Sequence, residues 1–315
     1  MQLITIDDIE AAAARIAGRV VRTPLTPCLW ADDDHPLWLK PEQLQPIGAF
    51  KIRGATNAVA RIPEEARKNG VVAYSSGNHA QAVAYTAKLY GIPATIVVTT
   101  NTPQVKIDAT ARHGAKVVVV PPADRESAAE EIVATEGGTL IPPFDHPDVI
   151  AGQGTIGLEI AADLPDVEVV LVPVSGGGLI SGIATAIRAR APHAKVIGVE
   201  PELAGDTAEG FRLGHRPNWS TEDRARTIAD GLRSTPSELT FAHIRAHVDD
   251  IVTVTEDEIK AAVAVLATRS QQVAEPSGAV TTAAYLHRDL PKGRTVAVLS
   301  GGNIDPKLLA EVLTA

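Results

Sequence analysis

The chain has 315 residues, 45% of them hydrophobic but only 3% aromatic, with a formal net charge of −9 and a pI of about 5.5. That length suits one large or two medium domains around an aliphatic, alanine-rich core. The acidic balance argues against nucleic acid and anionic membrane as partners. Scarce aromatics leave few stacking platforms for bases, and a single cysteine, Cys28, excludes an internal disulfide and cysteine-rich metal sites.

The N-terminal stretch Met1-Gln-Leu-Ile-Thr-Ile-Asp-Asp lacks a signal-peptide pattern, and no apolar run reaches spanning length, so a soluble cytoplasmic protein is expected. Thr5, with Asp8 three residues on, reads as a variant capping box opening a helix that ends near Gly18. Thr23-Pro-Leu-Thr-Pro is extended, because each proline biases its predecessor away from helix. A short strand at Leu37–Lys40 precedes a loop from Pro41 that runs into a helix from near Ala49 to about Ala60. From Val71 strands and helices alternate. The strands are Val71–Tyr74, Ala94–Val98, Lys116–Val120 and Thr139–Ile141; the helices are Ala80–Tyr90, Pro103–His113 and Arg125–Thr135. A second series starts near Ala151 with a helix to Leu164, then the strand Val169–Val174, the helix Leu179–Ala189 and the strand from Lys195 to Glu200. Pro201 to Arg226 shows no regular pattern. Thr255-x-x-Glu258 is a capping box opening a helix to about Gln272, and a last helix near Ser277 precedes the strand Arg294–Leu299. This alternation predicts an α/β protein with parallel sheets and helices on both faces. There is no internal repeat and no low-complexity linker.

Val169 to Val174 is continuously apolar, as in a strand buried on both faces, and Ser175-Gly-Gly-Gly178 leads straight into a helix. Strand, glycine loop and helix start form a cradle for an anion, since glycines let backbone amides turn inward and the helix dipole favours negative charge. The plainer alternative is a tight turn with no ligand. Glu200 lies about twenty residues on, where a ribose-binding acid would sit in a dinucleotide fold. Ser181 stands where that fingerprint needs a third glycine, and no Walker lysine follows. Polar loops also follow other strand ends, at Ser75–His79, Glu200–Asp206 and Ser300–Asn303, where ligands bind in open α/β sheets. Lys51 sits between Phe50 and Ile52 near a helix start, where dipole and desolvation both oppose its charge. A lowered pKa is what a Schiff-base lysine needs; the alternative is a surface residue whose stem packs down.

Ile47-Gly-Ala-Phe-Lys51-Ile-Arg-Gly-Ala, Ser75-Ser-Gly-Asn-His-Ala-Gln, Ser175-Gly-Gly-Gly-Leu, Thr227-Ile-Ala-Asp-Gly and Ser300-Gly-Gly-Asn together resemble the pyridoxal-phosphate serine/threonine dehydratases and their relatives, the serine racemases. The blocks span nearly the whole chain in the family's order. The resemblance implies the two-domain tryptophan-synthase-β-like fold, called fold type II. A small domain, residues 45–144, is then inserted into a large one made of residues 1–44 and 145–315. It also implies that Lys51 holds pyridoxal 5'-phosphate as an imine, that Phe50 flanks the ring and that Asn78 hydrogen-bonds the ring hydroxyl. Ser175, Gly176, Gly177, Gly178 and Leu179 would grip the phosphate, and Ser300 would meet the pyridine nitrogen. Ser75, Ser76, Gly77, Asn78 and His79 would seat the substrate carboxylate, with His79 a structural residue. Ser76 would act as the second proton carrier in a racemase.

Glu200, Asp206 and the carbonyl of Ala204 resemble the family's divalent-cation site, with oxygen ligands suited to Mg²⁺ or Ca²⁺; without the resemblance they read as a solvated acidic loop. Ala49 stands where many relatives have serine, and the chain ends soon after Ser300, so a feedback regulatory domain is not expected. The implied activity is β-elimination of L-threonine or L-serine to a 2-oxo acid and ammonia, in a homo-oligomer, dimer or tetramer. Serine racemisation is the nearest alternative. Dehydration of 3-hydroxyaspartate would need a further cation, for which Arg53 or Arg125 is a candidate. A non-catalytic amino-acid sensor and a dinucleotide enzyme are readings from other classes.

Overall fold

A computed structural model describes residues 2–314. Its first helix, α1 (Ile6–Ile16), opens on the expected capping box: Thr5 Oγ1 accepts from the Asp8 amide, and the Asp8 carboxylate accepts from the Thr5 amide at 2.8 Å. There follow β1 (Thr26–Pro27), β2 (Leu37–Pro41), α2 (Lys51–Arg61), α3 (Glu64–Arg67), β3 (Val71–Tyr74), α4 (Asn78–Tyr90), β4 (Ala94–Thr99), α5 (Gln104–Ala111), β5 (Lys116–Val120), α6 (Arg125–Glu136) and β6 (Thr139–Leu140). The second half carries α7 (Pro147–Asp163), β7 (Val169–Pro173), α8 (Gly178–Arg190), β8 (Lys195–Pro201), α9 (Asp206–Leu213), α10 (Thr221–Arg224), α11 (Glu238–His247), β9 (Asp250–Val254), α12 (Glu256–Arg269), α13 (Pro276–His287), β10 (Thr295–Leu299) and α14 (Pro306–Thr314).

The strands form two sheets. The larger runs β1-β2-β10-β7-β8-β9 and is parallel except for the β1–β2 pair; the smaller runs β5-β4-β3-β6 and is parallel throughout. The chain therefore leaves the large sheet after β2, builds the small one between residues 71 and 140, and returns. Fold class is α/β, with helices covering both faces of the central strands. β7 explains why its sequence reads as one apolar run. Val169 and Leu171 join one core cluster while Val170 and Val172 join another on the opposite face. β10 repeats the division, with Ala297 and Leu299 on the first side and Val296 and Val298 on the second. Each fully buried Val or Leu stabilises the fold by about 1.5–3 kcal/mol. These two central strands thus give a stiff frame whose carboxyl ends, in parallel register, carry the polar loops.

Three stretches depart from expectation. Pro201 to Arg226, expected to be irregular, contains α9 and α10. α9 is only eight residues long, and its N-terminus is capped from outside by Glu200, a partner that local pattern cannot reveal. α11 and β9 fill the region before α12, and α14 follows β10, so the helix near Ser277 is not the last. Among the described residues no helix is long and apolar enough to cross a membrane.

Candidate active site

The segment leading into Lys51 is zipped onto the loop that leaves β10. Phe50 N donates to Ser300 O at 3.0 Å, Gly302 N to Gly48 O at 2.9 Å, and Asn303 Nδ2 to Ile47 O at 2.9 Å. Ala49 and Gly301 bridge the two loops. Gly48 has φ +72°, and a Cβ there would stand 2.5 Å from Asn303 Oδ1, so both backbone conformation and space require glycine. Lys51, first residue of α2, is thereby aimed from a rigid frame. Its partly buried Nζ donates to Pro143 O at 2.7 Å and lies 5.1 Å from the Phe50 ring centroid. Burial lowers the amine to about 8, and no carboxylate holds it up.

Arg53, two residues on, points away from Lys51 into the core. Its guanidinium is fully buried and bonds Glu42 at 2.7 and 2.8 Å, Glu159 at 2.6 and 2.9 Å, Thr155 and the Val21 carbonyl. Lys40 Nζ completes the cluster by donating to Glu159 and to Thr23 O, each at 2.6 Å. Burial pushes the Glu42 carboxyl up, but Arg53 holds it below the usual range. Arg53 therefore cannot meet a second substrate carboxylate, and its candidacy for that role is corrected: every nitrogen is engaged inside the core. Arg125 differs. It opens α6, and its guanidinium carbon lies 5.5 Å from the ring centroid of Tyr74, the residue before Ser75.

The Ser75–His79 loop starts helix α4 at Asn78, two residues earlier than expected. Ser75 Oγ accepts from Gly77 N at 3.2 Å. Ser76 Oγ lies 2.6 Å from Thr102 Oγ1 and 3.4 Å from Thr99 Oγ1, and Thr99 donates its hydrogen to Asn101 Oδ1 at 2.6 Å. Ser76 thus heads a short chain of hydroxyls, two of them on residues that sequence reasoning did not single out. Asn78 Nδ2 donates to Glu275 Oε1 at 2.7 Å, and Asn78 Oδ1 accepts from Asn303 Nδ2 at 2.7 Å. His79 is buried, with Nε2 2.8 Å from Ile141 O and Nδ1 lacking a partner among the described residues. Because a carbonyl only accepts, Nε2 carries the hydrogen. Burial and the nearby Lys51 charge lower His79 to about 3, so the ring is neutral near pH 7.

The glycine loop lies between β7 and α8. Gly177 has φ +83°, and a Cβ there would stand 2.8 Å from Thr240 Cβ, while Gly176 and Gly178 lie against Phe144. Ser175 Oγ donates to Ser234 O at 3.3 Å and accepts from Ser234 N at 3.0 Å, which pins the loop. Ser181 N reaches back to Gly177 O at 3.0 Å, so the amides just before it have no intrahelical acceptor. Leu179, the second residue of α8, is buried. Ser300 closes β10; its Oγ donates to Ser277 O at 3.3 Å while its carbonyl holds Phe50.

At the end of β8, Glu200 is fully buried and accepts from Ala208 N at 2.7 Å and Thr207 N at 3.3 Å, capping α9. Asp206, equally buried, accepts from Thr235 Oγ1 at 2.9 Å. Burial pushes both carboxyls above their ordinary range, and the Asp206 charge raises Glu200 further. Buried Ala204 lies between them in sequence. Among the described residues no cluster of three or more His, Cys, Asp and Glu side chains could hold a metal. The site also contains Glu275, absent from the sequence reading. Only its place before Pro276, which starts α13, hints at a capping position.

The family described as "Pyridoxal-phosphate dependent enzyme" matches residues 16–301. The L-threonine ammonia-lyase of Thermotoga maritima is 44% identical over 317 residues, covering 99% of this chain and 78% of that protein. The L-threo-3-hydroxyaspartate ammonia-lyase of Saccharomyces cerevisiae is 42% identical, covering 98% and 96%. The structure of maize serine racemase superposes with a TM-score of 0.92 at 36% identity, covering 99% and 98% of the two chains.

Proposed function

The chain belongs to the pyridoxal-phosphate-dependent enzymes, and from that premise we propose that it dehydrates L-threonine or L-serine to the 2-oxo acid and ammonia. The observation that carries this reading is Lys51, a partly buried amine lowered to about 8 and held on a rigid frame, with a carbonyl as its one hydrogen-bond partner among the described residues. The residues present fit the cofactor. Glycines at 176–178 head α8, whose first amides have no intrahelical acceptor and would serve a phosphate, with Ser175 and Leu179 flanking. Asn78 would meet the ring hydroxyl, Phe50 would flank the ring and Ser300 would meet the pyridine nitrogen. When bound, the cofactor supplies an electron sink for the charge left at the substrate α-carbon. Once its hydrogen turns from Ser277 O to that nitrogen, Ser300 would offer it a hydroxyl, which does not force it to be protonated as a carboxylate would.

Lys51 Nζ takes the α-proton, because burial favours its neutral form. Ser75, Ser76, Gly77, Asn78 and His79 seat the substrate carboxylate, with neutral His79 bracing the start of α4 from behind. Residues 45–144 form the small domain in this reading. Glu200, Asp206 and the Ala204 carbonyl would hold Mg²⁺ or Ca²⁺, since two buried carboxylates, both pushed up by burial and Glu200 further by the Asp206 charge, are hard oxygen donors. A panel of L-threonine, L-serine and 3-hydroxyaspartate, assayed for both 2-oxo acid and enantiomer formation, tests the proposal. Absence of 2-oxo acid from all three would overturn it.

The Ser76–Thr102 contact favours racemisation as a second activity. A lone serine is a poor acid, but this one has a neighbouring hydroxyl through which to pass a proton. Ser76→Ala is expected to abolish any L-to-D serine conversion and to depress D-serine elimination, while L-threonine dehydration survives. Equal residual rates on L- and D-serine in Ser76→Ala would remove Ser76 from the proton path.

A further inference from the structure

Asn78, Glu275 and Asn303 come from widely separated parts of the chain and meet in one polar relay. Its direction is set at one end. Ile47 O can only accept, so the Asn303 group facing it is Nδ2, a donor. The same Nδ2 donates to Asn78, which must therefore present Oδ1, and this turns Asn78 Nδ2 toward Glu275 Oε1. Glu275 occupies the N-cap position of α13 without a side-chain capping bond, is 5% exposed, and lies under the loop after β10 so closely that a Cβ on Gly301 would stand 2.5 Å from Oε1. Its backbone amide donates to Gly301 O at 3.0 Å. It forms no ion pair among the described residues. The charged groups that act on it are Asp230 and Lys106, which are paired with each other.

We propose that Glu275 is a positioning residue for the cofactor ring: with Asn303 it holds the Asn78 carboxamide so that the second N–H of Nδ2 remains for the ring hydroxyl. This rests on the reading of Asn78 as the partner of that hydroxyl. A carboxylate accepting from an amide makes a charge-assisted bond, stronger and more directional than a neutral one. Burial, then the Asp230 charge, raises Glu275 to about 7, while Asn78, Lys106 and the Asn303 backbone pull it back. The clamp is therefore tight above pH 7. Below it, the protonated carboxyl is a weaker acceptor, and its new hydrogen faces a donor.

The test uses the absorbance and the affinity of pyridoxal phosphate on the purified protein, which do not depend on turnover. In the wild type the ratio of the cofactor's visible to near-ultraviolet bands should change with a midpoint near pH 7. Glu275→Gln should flatten that change and weaken cofactor binding at pH 8 by about tenfold, as loss of a charge-assisted bond implies. Glu275→Asp should restore the titration. Asn303→Ala, which cuts the other arm at an exposed residue, should weaken binding in the same direction and serves if Glu275→Gln does not fold by circular dichroism. If Glu275→Gln keeps the wild-type titration and affinity while Asn78→Ala alters both, Glu275 has no such role and Asn78 keeps its own. If Asn78→Ala alters neither, the reading of Asn78 fails and the relay with it.

Discussion

Two buried lysines make opposite use of burial. Lys40 is wholly enclosed, yet it bonds Glu159 and Thr23 O and belongs to a cluster in which Arg53 bridges Glu42 and Glu159. Lys51 is partly buried and, among the described residues, bonds the Pro143 carbonyl and no carboxylate. Burial pushes both amines down, but only Lys40 has carboxylates that push back. The same contrast separates the acids. Glu42 is held below its ordinary range by Arg53, whereas Glu200 and Asp206 are pushed above theirs. One cluster is electrically complete within the chain, and the other groups leave something for a ligand to supply. A buried charge thus points to function when its partner is missing, and to architecture when it is present.

Removing the two lysines in turn gives the sharpest break. Lys51→Ala is expected to lower 2-oxo acid formation by roughly a thousandfold or more, since it removes both the cofactor's covalent anchor and the base. Its fold should persist by circular dichroism, and purified wild type should be yellow where the variant is pale. Lys40→Met should reverse the pattern, keeping the cofactor's absorbance while lowering stability. Full activity in Lys51→Ala without added amine would dissolve the distinction. Next in size, Arg53→Met leaves Glu42 and Glu159 without their shared cation, which should cost about 3–5 kcal/mol in denaturant unfolding. A loss below about 1 kcal/mol would mean that water reaches the cluster.

The acid pair offers the smallest effect and a defined sign. Carboxyls whose folded pKa is raised bind protons more tightly in the native state. Their contribution is therefore favourable at low pH and is lost as pH rises from the ordinary values, 4.5 for Glu200 and 3.8 for Asp206, through the raised ones. Chelated protein should lose melting temperature across that window. Mg²⁺ or Ca²⁺ should raise the melting temperature again, the bound cation adding about 2.7 kcal/mol of stability at a hundredfold excess over Kd. Glu200→Gln should be indifferent to both chelator and cation; a melting temperature in the wild type that ignores both would show that no cation binds there.

Much of the frame was legible in the residues. The Thr5 and Thr255 capping boxes, the two-sided apolar run of β7 and the glycines before α8 are local signals, and each element formed where its signal stood. Lys51 stood out because a helix start among apolar neighbours is itself a local property. Elements with weak local signals are not legible in the residues alone. α9 depends on a cap from Glu200 on β8, and β9 on its parallel pairing with β8.

What the sequence determined by itself was therefore the order of elements, the α/β class and the positions of the polar loops at strand ends, because periodicity and turn chemistry act over a few residues. Tertiary structure decided which charges are answered. Glu42 and Arg53 are eleven residues apart and Arg53 and Glu159 more than a hundred, while Asn78 meets Glu275 across 197 residues and Asn303 across 225. No pattern along the chain encodes such meetings. They arise only when packing brings strand ends and loops together and excludes the water that would otherwise have satisfied each group alone.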